Sequence, residues 1–311
     1  MPLSSHIYRI KRLFRLHQEN SLFDVGGSCI FPTKDYKNPN YLLALLNSKL
    51  SFYILDSLNP TMNTQVGDLQ RIPFVQPPHL LEDNISGLAS ENVAIKKQLN
   101  SFRIIETNYD QNPILAYVET AIKDRLISYL NFENAQLVKV LLNEAVVNQL
   151  IFKVYELNDE DRQQVETKMG KPVGELQVLD IARKSYLTET KFEQEIVKTH
   201  IENLEAIEFE EQQIQAIKTE FCSIYQSNND LEEFCIRHQV NPINVWYWFK
   251  GSKVLPQAHA AEIALEFLAD AFRIILMEDE DGIVPLVGLP GEPRLMDGLE
   301  QYCFQQGLSS A

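Results

Sequence analysis

The stretch Tyr41–Phe74, YLLALLNSKLSFYILDSLNPTMNTQVGDLQRIPF, determines how the start of the chain is expected to fold. Its apolar spacing predicts a helix from about Asn40 to Leu58, which stops before Pro60 because the residue before a proline disfavours helical backbone. A polar loop follows, and the residues from Val66 to Val75 are predicted to be extended or to form a strand pair. We therefore expect a helix and a short β element side by side.

Two patterns lie upstream of this stretch. Residues 7–16, IYRIKRLFRL, interleave four basic with six apolar residues. The pattern suits a basic helix or strand on a DNA-facing surface, and it suits an ordinary amphipathic edge equally well. Ser21–Phe31 alternates β-forming residues around Gly26-Gly27, which predicts a hairpin. The first 78 residues are therefore expected to be a small α+β segment.

The pattern beyond Pro77-Pro78 is almost wholly helical. Helices are predicted over about 82–102, 113–128, 133–155, 158–169, 176–185, 188–226, 229–239, 241–250, 256–278 and 294–306. The longest, 188–226, carries one apolar stripe, which either packs on its own domain or contacts a partner. We expect a mainly α protein with domains at 1–78 and 79–311 and a possible further boundary near 170–188.

Charge is distributed unevenly along the 311 residues, whose net charge is −15. The first 103 residues hold 11 Lys and Arg against 8 Asp and Glu, whereas the remainder holds 17 against 35. Affinity for phosphate comes mostly from Lys and Arg, so the N-terminal third is the candidate surface for double-stranded DNA. The acidic remainder is better suited to solvent or to a protein partner.

Cysteine usage and hydropathy exclude several classes of protein. Cys29, Cys222, Cys235 and Cys303 form no C-x-x-C pair and have no histidines at zinc-ligand spacing, so we expect free thiols and no metal. No apolar run reaches the roughly 18 residues of a membrane span, and the first twenty residues do not form a signal peptide. The expectation is a cytoplasmic protein with no membrane partner.

Two motifs invite a catalytic or metal-binding interpretation. Asn38-Pro39-Asn40-Tyr41 is close to the N-P-P-Y loop of adenine methyltransferases, but the second proline is absent and no cofactor-binding sheet is expected upstream. A turn and helix start explains it better. The acidic run Glu278–Gly282 does not follow the calcium-loop order, and we interpret it as a solvated turn before a strand at Ile283–Leu286. No catalytic residue is predicted.

An aromatic cluster, Val245–Phe249 (VWYWF), follows a helix and a short turn, as in a small helix-turn-helix. Its tryptophans could stack on bases, although such clusters more often form core. Helix-turn-helix proteins place Arg, Lys, Asn or Gln on the second helix, and here it offers only Asn244 and Lys250. Core packing is therefore the favoured interpretation.

Several segments together resemble the C-terminal part of the PglX-like adenine-specific DNA methyltransferases of BREX phage-defence systems. They are YLLALLNSKL (41–50), NPTMNTQVGDLQRIP (59–73), LNSFRIIETNYDQNPIL (99–115), EAVVNQLIFKVYELNDED (144–161), INVWYWFK (243–250) and LMEDEDGIVPL (276–286). The first also resembles specificity regions of other methyltransferases. The order of the segments is more specific than any one of them.

The resemblance implies a function without turnover by this chain alone. The family transfers a methyl group from S-adenosylmethionine to adenine N6, and its cofactor and adenine residues lie upstream of every matched segment. The resemblance thus implies a DNA-specificity and assembly module that lacks the catalytic half and binds no cofactor. A catalytic methyltransferase chain or other defence proteins would be its partners. The alternative is a protein-interaction scaffold that does not contact DNA.

The candidate DNA-binding residues are polar or basic side chains of the N-terminal third. They are Arg9, Lys11, Arg12, Arg15, Lys34, Lys37, Asn47, Lys49, Asn63, Gln65 and Arg71. The Lys and Arg side chains would contact phosphates. Asn63 and Gln65 could read adenine edges, because a carboxamide matches the donor and acceptor that adenine presents.

Overall fold

The computed structural model describes residues 14–16, 29–31, 36, 38–59, 64–227, 231–252 and 256–309, and it is mainly helical. Its α-helices are α1 Pro39–Leu46, α2 Lys49–Leu58, α3 Val66–Leu69, α4 His79–Asn100, α5 Ile122–Val154, α6 Asp159–Met169, α7 Asp180–Glu189, α8 Glu195–Glu202, α9 Glu211–Ser227, α10 Leu231–His238, α11 Pro242–Ser252, α12 Gln257–Glu278 and α13 Leu295–Gln305. Short 3-10 turns occur at Pro113–Ala116 and Val173–Glu175. The predicted mainly α class is confirmed.

The chain divides into two compact units, each built from separate segments of the sequence. Unit 1 comprises Met1–Asn92, Leu141–Leu176 and Phe192–Asn203, and unit 2 comprises Val93–Val140, Gln177–Lys191 and Leu204–Ala311. The domain boundaries expected at residue 78 and near 170–188 stay predictions.

The α+β character expected for the first 78 residues is not found in their described part. Val66–Leu69 forms α3, and residues 73–78 have no regular secondary structure. Asp68 explains the helical turn, because its Oδ2 accepts hydrogen bonds from the Gln65 backbone N–H at 3.0 Å and from Asn59 Nδ2 at 2.7 Å. Apart from residues 29–31, the predicted hairpin lies outside the described residues.

The single helix predicted from Asn40 to Leu58 is two helices. Ser48 has extended backbone and caps α2, with its Oγ accepting from the Ser51 N–H at 3.2 Å. Asn47 ends α1. Asn and Ser side chains compete with the helical backbone for hydrogen bonds, so two in succession can interrupt an apolar helix.

Other predicted elements differ in their bounds. The helix predicted at 188–226 is α8 and α9, separated by an extended crossing in which Ala206 pairs with Val178 as an isolated parallel bridge. The helices predicted at 113–128 and 133–155 are largely one continuous helix, α5. The strand predicted at Ile283–Leu286 is absent; the second bridge in the described residues is Leu289–Glu292.

Close packing shapes each unit. In unit 1, Gly174 lies so near α5 that a Cβ there would stand 2.7 Å from the Leu141 carbonyl oxygen and 2.8 Å from the Ala145 Cβ. In unit 2, the Tyr186 ring meets the Trp246 ring edge to face with centroids 5.1 Å apart, which joins α7 to α11. No helix of the described residues is both long enough and apolar enough to cross a bilayer.

Candidate nucleic-acid interface

The junction of α1 and α2 contains two of the predicted DNA-binding residues, Asn47 and Lys49. The Asn47 Oδ1 accepts from the Phe14 N–H at 3.0 Å, and its Nδ2 donates to the carbonyl oxygens of Phe14 and Leu43, each at 3.0 Å. One carboxamide therefore satisfies both backbone groups of Phe14 and one carbonyl at the end of α1. This arrangement holds residues 14–16 against the start of α2.

Lys49 is fixed by contacts with two other helices of unit 1. Its backbone N–H donates to Asn148 Oδ1 on α5 at 2.7 Å, and its Nζ donates to the Met169 carbonyl oxygen at 3.2 Å. Met169 is the last residue of α6, where free carbonyls and the helix dipole favour a cation. The Lys49 ammonium is therefore already part of the packing of unit 1.

The turn around α3 presents two candidates to solvent. Gln65 and Arg71 are both exposed, and Val66 beside them is 56 % exposed. Asp68 fixes the backbone of this turn through the hydrogen bonds described above. Arg15 is also exposed. These three polar side chains are the described candidates with surface available for a ligand.

The remaining candidates are Arg9, Lys11, Arg12, Lys34, Lys37 and Asn63, and they lie outside the described residues. The DNA-binding role of all eleven candidate residues stays a prediction.

Two other cations of unit 1 are neutralised within the fold. Lys168 Nζ lies 3.0 Å from Asp56 Oδ2 and 5.1 Å from the centre of the Tyr53 ring. Arg162 bridges Glu166 at 2.7 Å and the buried Glu175 at 2.8 Å. Burial raises the pKa of the Glu175 carboxyl, and the charge of Arg162 offsets only part of that effect. These two cations therefore serve the packing of α6.

The Asn38–Tyr41 motif is a helix start, as predicted. The Asn38 Oδ1 accepts from the Tyr41 N–H at 3.2 Å, and its Nδ2 donates to Glu82 at 2.8 Å and to Ser86 at 2.9 Å on α4. Tyr41 is fully buried, donates its hydroxyl to the Val75 carbonyl at 3.0 Å, and has a pKa raised by burial. Both side chains are thus committed to the fold of unit 1.

The aromatic cluster of α11 is core, as favoured from the sequence. Trp246 and Trp248 are each 7 % exposed and Phe249 is 1 % exposed. Asn244 is fully buried and its Oδ1 accepts from the Leu179 N–H at 2.8 Å, while Lys250 pairs with Glu189. The two polar candidates of this helix, Asn244 and Lys250, are therefore both engaged by the fold of unit 2.

The acidic run after α12 is a turn, as predicted. The Asp279 Oδ1 accepts from the backbone N–H groups of Asp281, Gly282 and Ile283 at 3.2, 3.0 and 3.3 Å. This carboxylate oxygen is satisfied by the chain itself. Among the described residues, no group of three or more His, Cys, Asp or Glu side chains could hold a metal ion.

Comparison with known proteins gives one informative similarity. The chain is similar to the adenine-specific methyltransferase BrxX of Escherichia coli O9:H4 (strain HS), with 29% identity over 137 residues. The match covers 43% of this chain and 11% of that protein, so the chain spans only a small part of the curated relative's length. No protein-family model and no solved structure matches the chain. The similarity supports a relation to BREX adenine methyltransferases.

Proposed function

We propose that this chain is a DNA-specificity and assembly module of a site-specific adenine-N6 DNA methyltransferase of a phage-defence system. It would correspond to the C-terminal part of a PglX-like enzyme and work in the cytoplasm with a catalytic chain that binds S-adenosylmethionine. The similarity to an adenine-specific methyltransferase is the observation that carries this proposal. The sequence, which contains no methyltransferase catalytic motif, supports a role other than turnover.

The charge distribution supports DNA contact through the N-terminal third. Arg15 and Arg71 are exposed basic side chains in unit 1, and Gln65 is an exposed carboxamide close in sequence to Arg71. In this proposal, Arg15 and Arg71 contact phosphates, and Gln65 contacts a base edge. Asn47 and Lys49 support that surface by fixing residues 14–16 and the start of α2.

The salt dependence of DNA binding tests this assignment. We expect the full chain to bind double-stranded DNA at low salt, with an affinity that falls as salt is added. Replacing Arg15 and Arg71 with Ala should weaken binding and reduce the slope of log K against log salt by about 0.9 for each phosphate that is no longer neutralised. The measurement is a filter-binding titration at several salt concentrations.

A matched pair of substitutions separates a site from a general charge effect. Lys123→Ala and Lys191→Ala also remove two exposed positive charges, but both residues belong to unit 2 and lie outside the N-terminal third. They should leave the slope unchanged. Equal effects from the two pairs would show that no defined surface is involved, and an absence of binding at any salt concentration would reject the DNA-binding proposal.

The second candidate function is a protein-interaction scaffold without DNA contact. It is favoured by the large apolar side chains that α12, α13 and the loop between them expose, including Ile283 at 72 % and Leu286 at 77 %. The net charge of −18 beyond residue 103 also disfavours DNA for that part of the chain. Binding of a protein partner with no DNA binding at low salt would favour this function.

A further inference from the structure

The loop between α12 and α13, together with the adjoining helix ends, exposes an unusual amount of apolar surface. We define the C-terminal apolar surface as Met277, Ile283, Leu286, Val287, Leu289 and Met296, whose exposed fractions range from 51 to 77 %. Single exposed apolar residues need no explanation, but a group of this size on neighbouring segments does. Soluble proteins use such groups mainly to bind other molecules.

This loop is held in a defined conformation by its own sequence. At the start of the loop, the Asp279 Oδ1 accepts hydrogen bonds from three backbone N–H groups. At the end of the loop, the Leu295 N–H donates to the Pro285 carbonyl oxygen at 2.9 Å. Pro285, Pro290 and Pro293 each restrict the backbone. The apolar side chains are therefore presented from an ordered loop, which lowers the entropy lost when a partner binds.

The charges around the C-terminal apolar surface specify the partner. Residues 276–305 contain seven Asp and Glu and one basic residue, Arg294. Arg294 is already paired with Asp297 through two hydrogen bonds of 3.0 and 2.6 Å. Glu278, Glu280 and Glu292 are exposed. Apolar side chains bordered by carboxylates complement an apolar stripe bordered by Lys and Arg.

We infer that the C-terminal apolar surface is a docking site for a partner protein that presents a basic amphipathic helix. A second copy of this chain fits less well, because a two-fold contact would bring the two sets of carboxylates together. An anionic membrane surface would be repelled by the same carboxylates. The inference concerns unit 2 only and does not depend on DNA binding by unit 1.

A synthetic helical peptide of about 18 residues, roughly 27 Å long, provides the probe. It has leucines on one face and lysines on the others. We expect saturable binding of this peptide to the full chain by isothermal titration calorimetry. The double substitution Leu286→Ser with Val287→Ser should weaken it about tenfold or more, because a few apolar anchors carry most of the energy of such contacts. An absence of saturable binding would overturn the inference.

A matched control removes the same side-chain types from another surface. Leu80 is 73 % exposed and Val66 is 56 % exposed, both in unit 1. Leu80→Ser with Val66→Ser should leave peptide affinity unchanged. All four residues are exposed, so the variants are expected to keep the wild-type circular dichroism spectrum. An equal loss in both variants would show nonspecific binding and would overturn the inference.

Charge reversal tests the nature of the partner separately. Glu278→Lys with Glu280→Lys should lower the affinity for the lysine peptide. The same variant should raise the affinity for a peptide that has the same apolar pattern but glutamates in place of lysines. Unchanged affinity for the lysine peptide would show that the partner need not be basic, against the inference. Self-association in sedimentation velocity that Leu286→Ser with Val287→Ser abolishes would instead identify a second copy as the occupant, which would also overturn it. DNA binding should be unaffected by Leu286→Ser with Val287→Ser, which changes no charge.

Discussion

At the scale of single residues, His259 is an imidazole enclosed between two carboxylates within unit 2. Its side chain is 10 % exposed, with Nε2 2.8 Å from Glu133 Oε2 and Nδ1 3.4 Å from Glu262 Oε2. Burial lowers the pKa of the imidazole, but the hydrogen bonds and charges of Glu133 and Glu262 outweigh burial, so the pKa is raised overall. Arg103 also pairs with Glu262, and with Glu266.

This raised pKa gives unit 2 a stability that depends on pH. A histidine whose folded pKa exceeds its unfolded value of about 6.5 stabilises the fold fully below that pH and loses the contribution as pH rises through the folded pKa. We expect His259→Gln to lower the free energy of unfolding at pH 6 and to have less effect at pH 9. Urea denaturation at both pH values provides the measurement.

The matched control for this prediction is another histidine. His200 is half-buried, with its Nε2 2.9 Å from the Gly174 carbonyl oxygen, and the loss of solvent lowers the pKa of its imidazole. The neutral imidazole is favoured at this position. The change in the free energy of unfolding caused by His200→Gln should therefore not diminish as pH rises. A difference between wild type and His259→Gln that is constant from pH 6 to 9 would contradict the assignment of charge to His259.

The sequence predicts residue roles well where the partner is local. A helix was predicted over 158–169, and the Asn158 Oδ1 accepts from the Asp161 N–H at 2.9 Å at the start of α6. Asn47 and Lys49 were selected from the sequence as DNA contacts. Their partners in the fold, Phe14, Asn148 and Met169, lie 33 to 120 residues away. Sequence spacing holds no information about pairs so distant.

At the scale of elements, the 3-10 turn at Val173–Glu175 packs against α5 through a glycine. Gly174→Ala would place a methyl group 2.7 Å from the Leu141 carbonyl oxygen. The backbone of α5 and the Ala145 Cβ cannot move away without a cost in free energy, because both belong to a packed helix. Overpacking of this kind typically costs about 1–3 kcal/mol. We expect a loss of that size in urea denaturation followed by far-UV circular dichroism.

Gly67 supplies the control for this prediction. It lies in α3, and a Cβ there would meet nothing within 4 Å. Gly67→Ala should be neutral or stabilise by about 0.5–1 kcal/mol, because alanine favours helix more than glycine does. Equal stability changes for the two variants would show that the contact with α5 is not tight.

Helix positions were predicted better than helix breaks. The stripe of 188–226 has apolar residues at 207 and 214, and the segment between them, EFEEQQ (208–213), is rich in glutamate and contains one apolar residue, Phe209. That segment adjoins the crossing between α8 and α9, where the Ile207 N–H donates to the Val178 carbonyl oxygen at 3.0 Å. The segment is a signal that could have indicated the break, whereas the pairing with Val178 is a tertiary contact that overrides helix propensity. The strand expected after Val66 failed because Asp68 caps a helical turn.

At the scale of the whole molecule, the proposed function predicts that methyl transfer requires a second chain. In the described residues, β structure is limited to two isolated bridges. We expect no transfer of labelled methyl groups from S-adenosylmethionine to DNA by this chain alone, and transfer when a BREX-type catalytic methyltransferase is added. The measurement is label retained on DNA, with the heat-denatured chain as the control. Incorporation by the native chain alone would contradict the proposed division of labour.

Both tryptophans of the chain lie on one helix, α11, in the interior of unit 2. Intrinsic tryptophan fluorescence therefore reports on unit 2 alone, and unit 1 is silent at the wavelengths that excite tryptophan selectively. Far-UV circular dichroism, by contrast, records helices of both units. The two optical signals thus form a built-in pair of probes, and any separation between their melting curves would measure how independently the two units unfold.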